Sequence, residues 1–96
     1  MTIDLRDIHD SVDLPDGRRA IIVNWMMPNI DRNRNAFLFQ HGKLVWQIHT
    51  DHDTDVYGPF TRLEYTNGKL RAFRYIGAMY DIDIDTGLAT PAEFVK

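Results

Sequence analysis

The side chains best suited to metal chemistry cluster in one loop, between positions 49 and 55. The candidate ligands are His49, Asp51, His52 and Asp53. Imidazole and carboxylate groups are common protein ligands of zinc, manganese and calcium. A calcium-binding loop counted from Asp51 fails, because its sixth position is Val56 where glycine is needed and its twelfth is Arg62 where glutamate is needed. We therefore expect a solvated polar loop, and the alternative is a metal site on these four residues.

A second candidate is the run of acids Asp81, Asp83 and Asp85, which alternates with apolar residues. This alternation predicts that the three carboxylates share one face of a β-strand. Two carboxylates can carry out acid–base chemistry when burial separates their pKa values. The simpler interpretation, which we favour, is the solvent-exposed face of an antiparallel sheet. Like charges there also discourage pairing with strands of other chains.

The polar segment around Asn33 is the third candidate, since the flanking Arg32 and Arg34 could hold a small anion or a phosphate. A solvated loop is the expectation there, because the chain as a whole is acidic. The sequence contains neither a glycine-rich phosphate loop nor the motif of a serine nucleophile. It also has no cysteine, which excludes disulfides and thiolate metal sites. The residues do not indicate an enzyme, and we predict neither a catalytic residue nor a cofactor.

These candidates must be positioned by β-strands, because two-residue alternation broken by turn residues is the strongest pattern in the chain. Asn67-Gly68 is the pair preferred in a type I′ hairpin turn, and Asp16-Gly17 and His41-Gly42 mark two further turns. The clearest predicted strands are residues 19–27, 35–40, 43–50, 61–66, 69–76 and 79–85. The N-terminal segment fits a strand or a helix, and Thr90-Pro91 resembles the start of a short helical turn.

The predicted fold is therefore all-β, an antiparallel meander of six or seven strands curled into a half-open barrel or a small two-layer sandwich. Turns recur about every 8 to 12 residues, with no useful length of helical period between them. With 96 residues, of which 44% are hydrophobic, the chain has the size and composition of a single β domain over residues 1–96.

The charge of the chain bears on its partners and its location. A net charge of −3 gives no electrostatic reason to bind nucleic acid or an anionic membrane, and it is compatible with a basic protein partner. The apolar runs are too short to span a bilayer, and the acidic N-terminal residues do not form a signal peptide. We expect a cytoplasmic protein, which the lack of cysteine also fits.

Three segments between residues 35 and 88 carry a resemblance to known proteins. They are Leu44-Val45-Trp46-Gln47-Ile48, Gly58-Pro59-Phe60-Thr61 and Gly77-x-x-Tyr80-x-Ile82-Asp83-x-x-Thr86-Gly87. Together they resemble small standalone bacterial β proteins of uncharacterised function. The last segment also resembles the strand and turn of quinoprotein-type propeller blades, but a complete propeller needs at least about four blades of four strands, more than this chain can supply. The resemblance transfers no catalytic residue.

The hairpin of residues 37–48 is unusual because it carries apolar side chains on both faces. One face is expected to hold Phe37, Phe39, Leu44, Trp46 and Ile48, and the other Leu38 and Val45. Because one core covers only one face of a sheet, the other face must meet a second layer of the same chain or a second molecule. We predict a protein-binding surface and a weak homodimer.

Two functions follow from the residues. The leading hypothesis is a non-catalytic binding or protein-interaction domain, of the immunity or accessory type, as the small size, acidity and aromatic content suggest. The alternative is a small metal-dependent or carboxylate-based enzyme that uses the loop from His49 to Asp55.

Overall fold

The computed structural model describes residues 5–28, 30–51, 58–75 and 77–92. Within them, a single 3-10 turn, Leu5–Asp7, comes before eight β-strands. The strands are β1 (Ile8–Leu14), β2 (Arg18–Val23), β3 (Ala36–Gln40), β4 (Lys43–Gln47), β5 (Phe60–Thr66), β6 (Lys69–Arg74), β7 (Met79–Ile82) and β8 (Ala89–Pro91). A second 3-10 turn, Arg32–Arg34, lies between β2 and β3. The described residues include no helix long and apolar enough to cross a membrane.

The strands form two antiparallel sheets, ordered β1-β2-β3-β4 and β5-β6-β7-β8. The all-β, antiparallel prediction is confirmed. The prediction of one meander of six or seven strands is not matched, because the described residues form two meanders of four strands each. These eight strands do not close into a barrel. The additional strands lie near the ends of the chain: β1 occupies the segment that fitted strand or helix, and β8 includes Thr90 and Pro91, where a helical turn was expected.

Local turn chemistry explains three of the hairpins. Asp16 and Gly17 join β1 to β2 with φ values of 67° and 72°, and His41 and Gly42 join β3 to β4 with 50° and 81°. Asn67-Gly68 joins β5 to β6 in the same way, as the sequence predicts. In the two-residue loops 41–42 and 67–68, two consecutive positive φ angles define a type I′ turn, whose twist matches that of the paired strands. The β1–β2 loop has three residues, because Leu14 pairs with Arg18.

The two sheets share one hydrophobic core. Sheet β1–β4 contributes Leu14, Ala20, Ile22, Ala36, Leu38 and Trp46, and Ile48, which directly follows β4, joins them. Sheet β5–β8 contributes Phe60, Leu63, Leu70, Ala72, Tyr80 and Ile82, together with Ala89. In β6 alternate residues face this core, since Leu70, Ala72 and Arg74 are all buried.

A bulge in the β3–β4 hairpin corrects the faces predicted for it. Leu38 pairs with Trp46 and Phe39 with Leu44, so β4 has one more residue than β3 at this point. Trp46 and Ile48 therefore lie with Leu38 in the shared core, while Phe37 and Phe39 belong to the opposite face.

The opposite face of sheet β1–β4 is covered in part by the same chain. A second cluster forms there from Ile21, Val23 and Phe37, and Met27 and Ile30 of the β2–β3 connection pack against it. This segment supplies the second layer that the two-sided strands require. On β4, Leu44 and Val45 remain 45% and 46% exposed, and the homodimer stays a prediction.

The sheets also meet along two pairs of edges. On one side, the Asp10 carboxylate of β1 accepts a hydrogen bond of 2.8 Å from the Leu63 amide of β5. On the other side, the His49 amide donates to the Gly87 carbonyl at 3.1 Å, and the Ala89 amide donates to the His49 carbonyl at 2.7 Å. These bonds use main-chain N–H and C=O groups at the sheet edges, which would otherwise be free to pair with other chains.

Candidate functional site

The loop predicted to bind metal is only partly within the described residues. His49 and Asp51 are described, whereas His52 and Asp53 lie outside the described residues. The His49 ring Nε2 is 3.1 Å from the Thr86 carbonyl, and Asp51 is exposed in a turn. The described part of the chain contains no group of three or more histidine or acidic side chains that could hold a metal ion. The metal site stays a prediction.

Metal analysis of the purified protein tests that prediction. Of the four predicted ligands, His52 and Asp53 lie outside the described residues, and the His49 ring Nε2 already lies 3.1 Å from the Thr86 carbonyl, so a solvated polar loop remains the expectation. We therefore expect elemental analysis after dialysis to find less than one zinc or manganese ion per chain. One ion per chain, lost in a His49→Ala variant, would contradict this expectation.

The three acids of residues 81–85 do not form a carboxylate cluster on one strand face. Asp81 is the only one of the three within β7, and its carboxylate is 2.9 Å from Arg71 Nε on the neighbouring strand. Asp83 accepts a 2.9 Å hydrogen bond from the amide of Asp85 in the turn that follows. The strand predicted to reach residue 85 ends at Ile82, because this side chain–main chain bond favours a turn.

The Arg32–Arg34 turn is held in place at three points. Asp31 begins it, and its side chain accepts a hydrogen bond from the Asn33 amide at 3.0 Å. The Arg34 carbonyl accepts one from the Gln47 side chain at 2.8 Å. The Asn33 side chain in turn accepts one from the Gly58 amide at 3.1 Å, which ties the turn to the segment that leads into β5.

A cleft of about 530 Å³ opens beside this turn, and we name it the end cleft. Its lining residues are Trp25, Arg32, Asn33, Gly58, Pro59 and Tyr75. They come from the β2–β3 connection, the entry to β5 and the residue that follows β6. No sequence pattern joins these three segments, and only Arg32 and Asn33 lay in a segment that the sequence indicated as a candidate binding site.

The floor of the end cleft is fixed by hydrogen bonds on both sides of Pro59. Arg74 Nη1 donates to the Gly58 carbonyl at 2.9 Å, and the Tyr75 amide donates to the Pro59 carbonyl at 2.9 Å. Asn35 holds the next residue, Phe60, by accepting from its amide at 2.9 Å and donating to its carbonyl at 2.9 Å. The backbone beneath the cleft is therefore fixed before any ligand arrives.

Arg74 is the buried support of this floor, with only 2% of the residue exposed. Its guanidinium carbon lies 4.5 Å from the centre of the Phe60 ring and 5.1 Å from that of Tyr80. Cation–π attraction and the bond to Gly58 help to offset the cost of burying a charge. The signal available in the sequence was an arginine on the apolar face of a strand.

Trp25 packs against a side chain that lies at a bulge in β1. The pairing of β1 with β2 shifts between Ile8 and Asp10, and His9 lies at the shift. The His9 ring meets Trp25 edge to face, with ring centres 4.9 Å apart. Bulges commonly re-aim side chains next to functional sites, as this one does for His9.

A second cavity, of about 430 Å³, differs from the end cleft in its charges. It lies around the β1–β2 turn and includes Arg18 and Arg19 in its lining. Arg19 Nε is 2.7 Å from the Asp13 carboxylate, and this hydrogen bond and the charge of Asp13 raise the pKa of Arg19. Arg18 lies 4.0 Å from Asp16, so both cations already have acidic partners.

Comparison with known proteins assigns the chain to a family without assigning it an activity. No curated protein and no solved structure matches the chain. One family model, described as a domain of unknown function (DUF7957), matches residues 3–94. Because this match covers nearly the whole sequence, the chain belongs to the DUF7957 family.

Proposed function

We propose that the chain is a non-catalytic binding domain that contacts another protein through the end cleft. The observation that carries the proposal is the placement of Trp25, Arg32 and Tyr75 around a backbone locked by buried hydrogen bonds. A site that is ordered before binding loses less conformational entropy when its partner arrives.

The residue types around the cleft support a protein partner. Tyr75 is 74% exposed, and Met26, next to Trp25, is 71% exposed. Tryptophan, tyrosine, methionine and arginine are enriched in protein interfaces, and tryptophan, tyrosine and arginine supply most of their energetic hot spots. The cleft is open to solvent, whereas small-molecule sites usually enclose most of the ligand surface. Within this proposal the domain acts as an immunity or accessory protein, by contact and not by chemistry.

Site-specific photo-crosslinking tests the proposal. A photoreactive phenylalanine analogue at Tyr75 is expected to give one predominant adduct in cells of the source organism, because this side chain reaches out of the cleft. The same analogue at Thr66 serves as the matched control, since Thr66 is exposed at the other end of the same hairpin. The length of β6 separates the two positions by roughly 20 Å.

A Trp25→Ala change tests whether the adduct depends on the cleft. We expect the Tyr75 adduct to be lost in this background while the protein remains folded, because Trp25 is half-buried and lies outside the shared core. Equal labelling from positions 75 and 66, or labelling that survives Trp25→Ala, would reject the end cleft as the contact surface.

A further inference from the structure

We infer that the end cleft binds an extended acidic segment of a partner protein, with a carboxylate on Arg32 and a proline or aromatic ring against Trp25 and Tyr75. This inference rests on the proposed function and adds the chemistry of the partner to it. An acidic partner also differs from the one that net charge alone suggests, since this protein, with a net charge of −3, is compatible with a basic partner.

The carboxylate of the proposed partner is inferred from which arginines of this chain already have a bonding partner. Arg19 and Arg71 bond to carboxylates at 2.7 and 2.9 Å, and Arg62 lies 4.2 Å from the centre of the Phe73 ring. Across the described ranges, Arg32 is the one arginine whose guanidinium makes no hydrogen bond, ion pair or ring contact. It is exposed at the cleft and presents a planar set of donors that matches a carboxylate.

The proline or aromatic ring of the proposed partner is inferred from the other residues that line the cleft. Trp25, Pro59 and Tyr75 provide flat apolar surfaces that line the same opening as Arg32. Aromatic-lined grooves of this kind bind extended proline-containing segments, because such segments are already ordered before binding. A segment is favoured over a compact ligand because the cleft is open to solvent and does not enclose a ligand.

Titration with a defined peptide, followed by NMR, tests the inference. The probe is the acetylated and amidated peptide Glu-Asp-Pro-Tyr-Asp-Glu, added to uniformly nitrogen-15-labelled protein. The indole N–H signal of Trp25 is expected to shift progressively. The Trp46 indole is an internal control that should not move, since it donates to the Ile84 carbonyl at 2.7 Å in the core.

Two variants separate the Arg32 contact from general charge. Arg32→Ala should weaken binding at least about tenfold, as expected for loss of one charge-assisted contact. Arg62→Ala removes an exposed arginine that does not line the cleft and should leave affinity within about twofold. Added salt should weaken the wild-type interaction, because it screens exposed charges.

The possible outcomes decide between partners. Equal binding of the amide peptide Gln-Asn-Pro-Tyr-Asn-Gln would overturn the requirement for carboxylates. ATP shifting the Trp25 signal where the acidic peptide does not would assign the cleft to a nucleotide and reject a peptide segment. If neither probe binds while the Tyr75 crosslink forms in cells, the acidic segment is rejected and the protein-binding function stands.

Discussion

Replacing Asn35 with alanine is expected to lower the free energy of unfolding by about 3–5 kcal/mol. The Asn35 side chain is fully buried, and its amide nitrogen donates to the carbonyls of Val23 at 3.0 Å and Phe60 at 2.9 Å. Its oxygen accepts from the Phe60 amide at 2.9 Å. Alanine would remove these bonds from three main-chain groups, which belong to two different sheets. Each buried polar group that loses its partner lowers the free energy of unfolding by about 1–3 kcal/mol.

Thermal and urea unfolding followed by circular dichroism measures this effect. A loss of this size should lower the melting temperature by more than about 12 °C in a domain of this length. The matched control is Asn33→Ala, which removes one half-buried bond to the Gly58 amide and should cost about 1 kcal/mol. If Asn35→Ala is no more destabilising than Asn33→Ala, the connection between the sheets does not depend on Asn35.

The hairpin turns are the part of the fold that the sequence predicts best, because their causes are local. A glycine follows an aspartate, histidine or asparagine at each of three turns, and all six residues adopt positive φ. These residue types tolerate that conformation, so the backbone is specified within the turn itself. The six strands predicted around these turns are all present, although several end earlier than predicted.

The alternation of residues does not predict which side chains of β4 face the core. A two-residue turn with regular pairing would set Phe37 opposite Trp46, as the alternation suggests. The bulge sets Leu38 there instead, and a shift of one residue exchanges the two faces of a strand. With the bulge in place, Trp46 packs against the turn of the other sheet and donates to the Ile84 carbonyl at 2.7 Å, a contact between distant segments that alternation does not encode.

The end cleft could be predicted only in part for a related reason. Arg32 and Asn33 were recognised from their polar segment, but Trp25 and Tyr75 belong to segments far apart in sequence. They share the cleft because Asn33, Asn35 and Arg74 bind the same short backbone segment that leads into β5. Contacts between distant segments depend on how the two sheets meet, which the alternation of one strand does not encode.

Gly87→Ala is the second substitution expected to have a large effect, with a loss of about 2–5 kcal/mol in the free energy of unfolding. Gly87 has a φ of 81°, which costs a residue with a Cβ atom about 1–2 kcal/mol. A Cβ there would also lie 2.7 Å from Cδ2 of Trp46. The indole cannot move aside cheaply, since it is buried and its Nε1 donates to the Ile84 carbonyl at 2.7 Å. Overpacking of this kind adds about 1–3 kcal/mol.

Gly68→Ala provides the matched control, because it shares the backbone conformation without the contact. Gly68 has a φ of 76°, and a Cβ at this position meets no atom within 4 Å. We therefore expect Gly68→Ala to cost only the conformational part, about 1–2 kcal/mol. The difference between the two variants in urea unfolding measures the packing of the Asp83–Gly87 turn against Trp46. Equal losses in the free energy of unfolding would show that the Trp46 indole moves aside without cost. This packing would then not hold the turn of one sheet against β4 of the other.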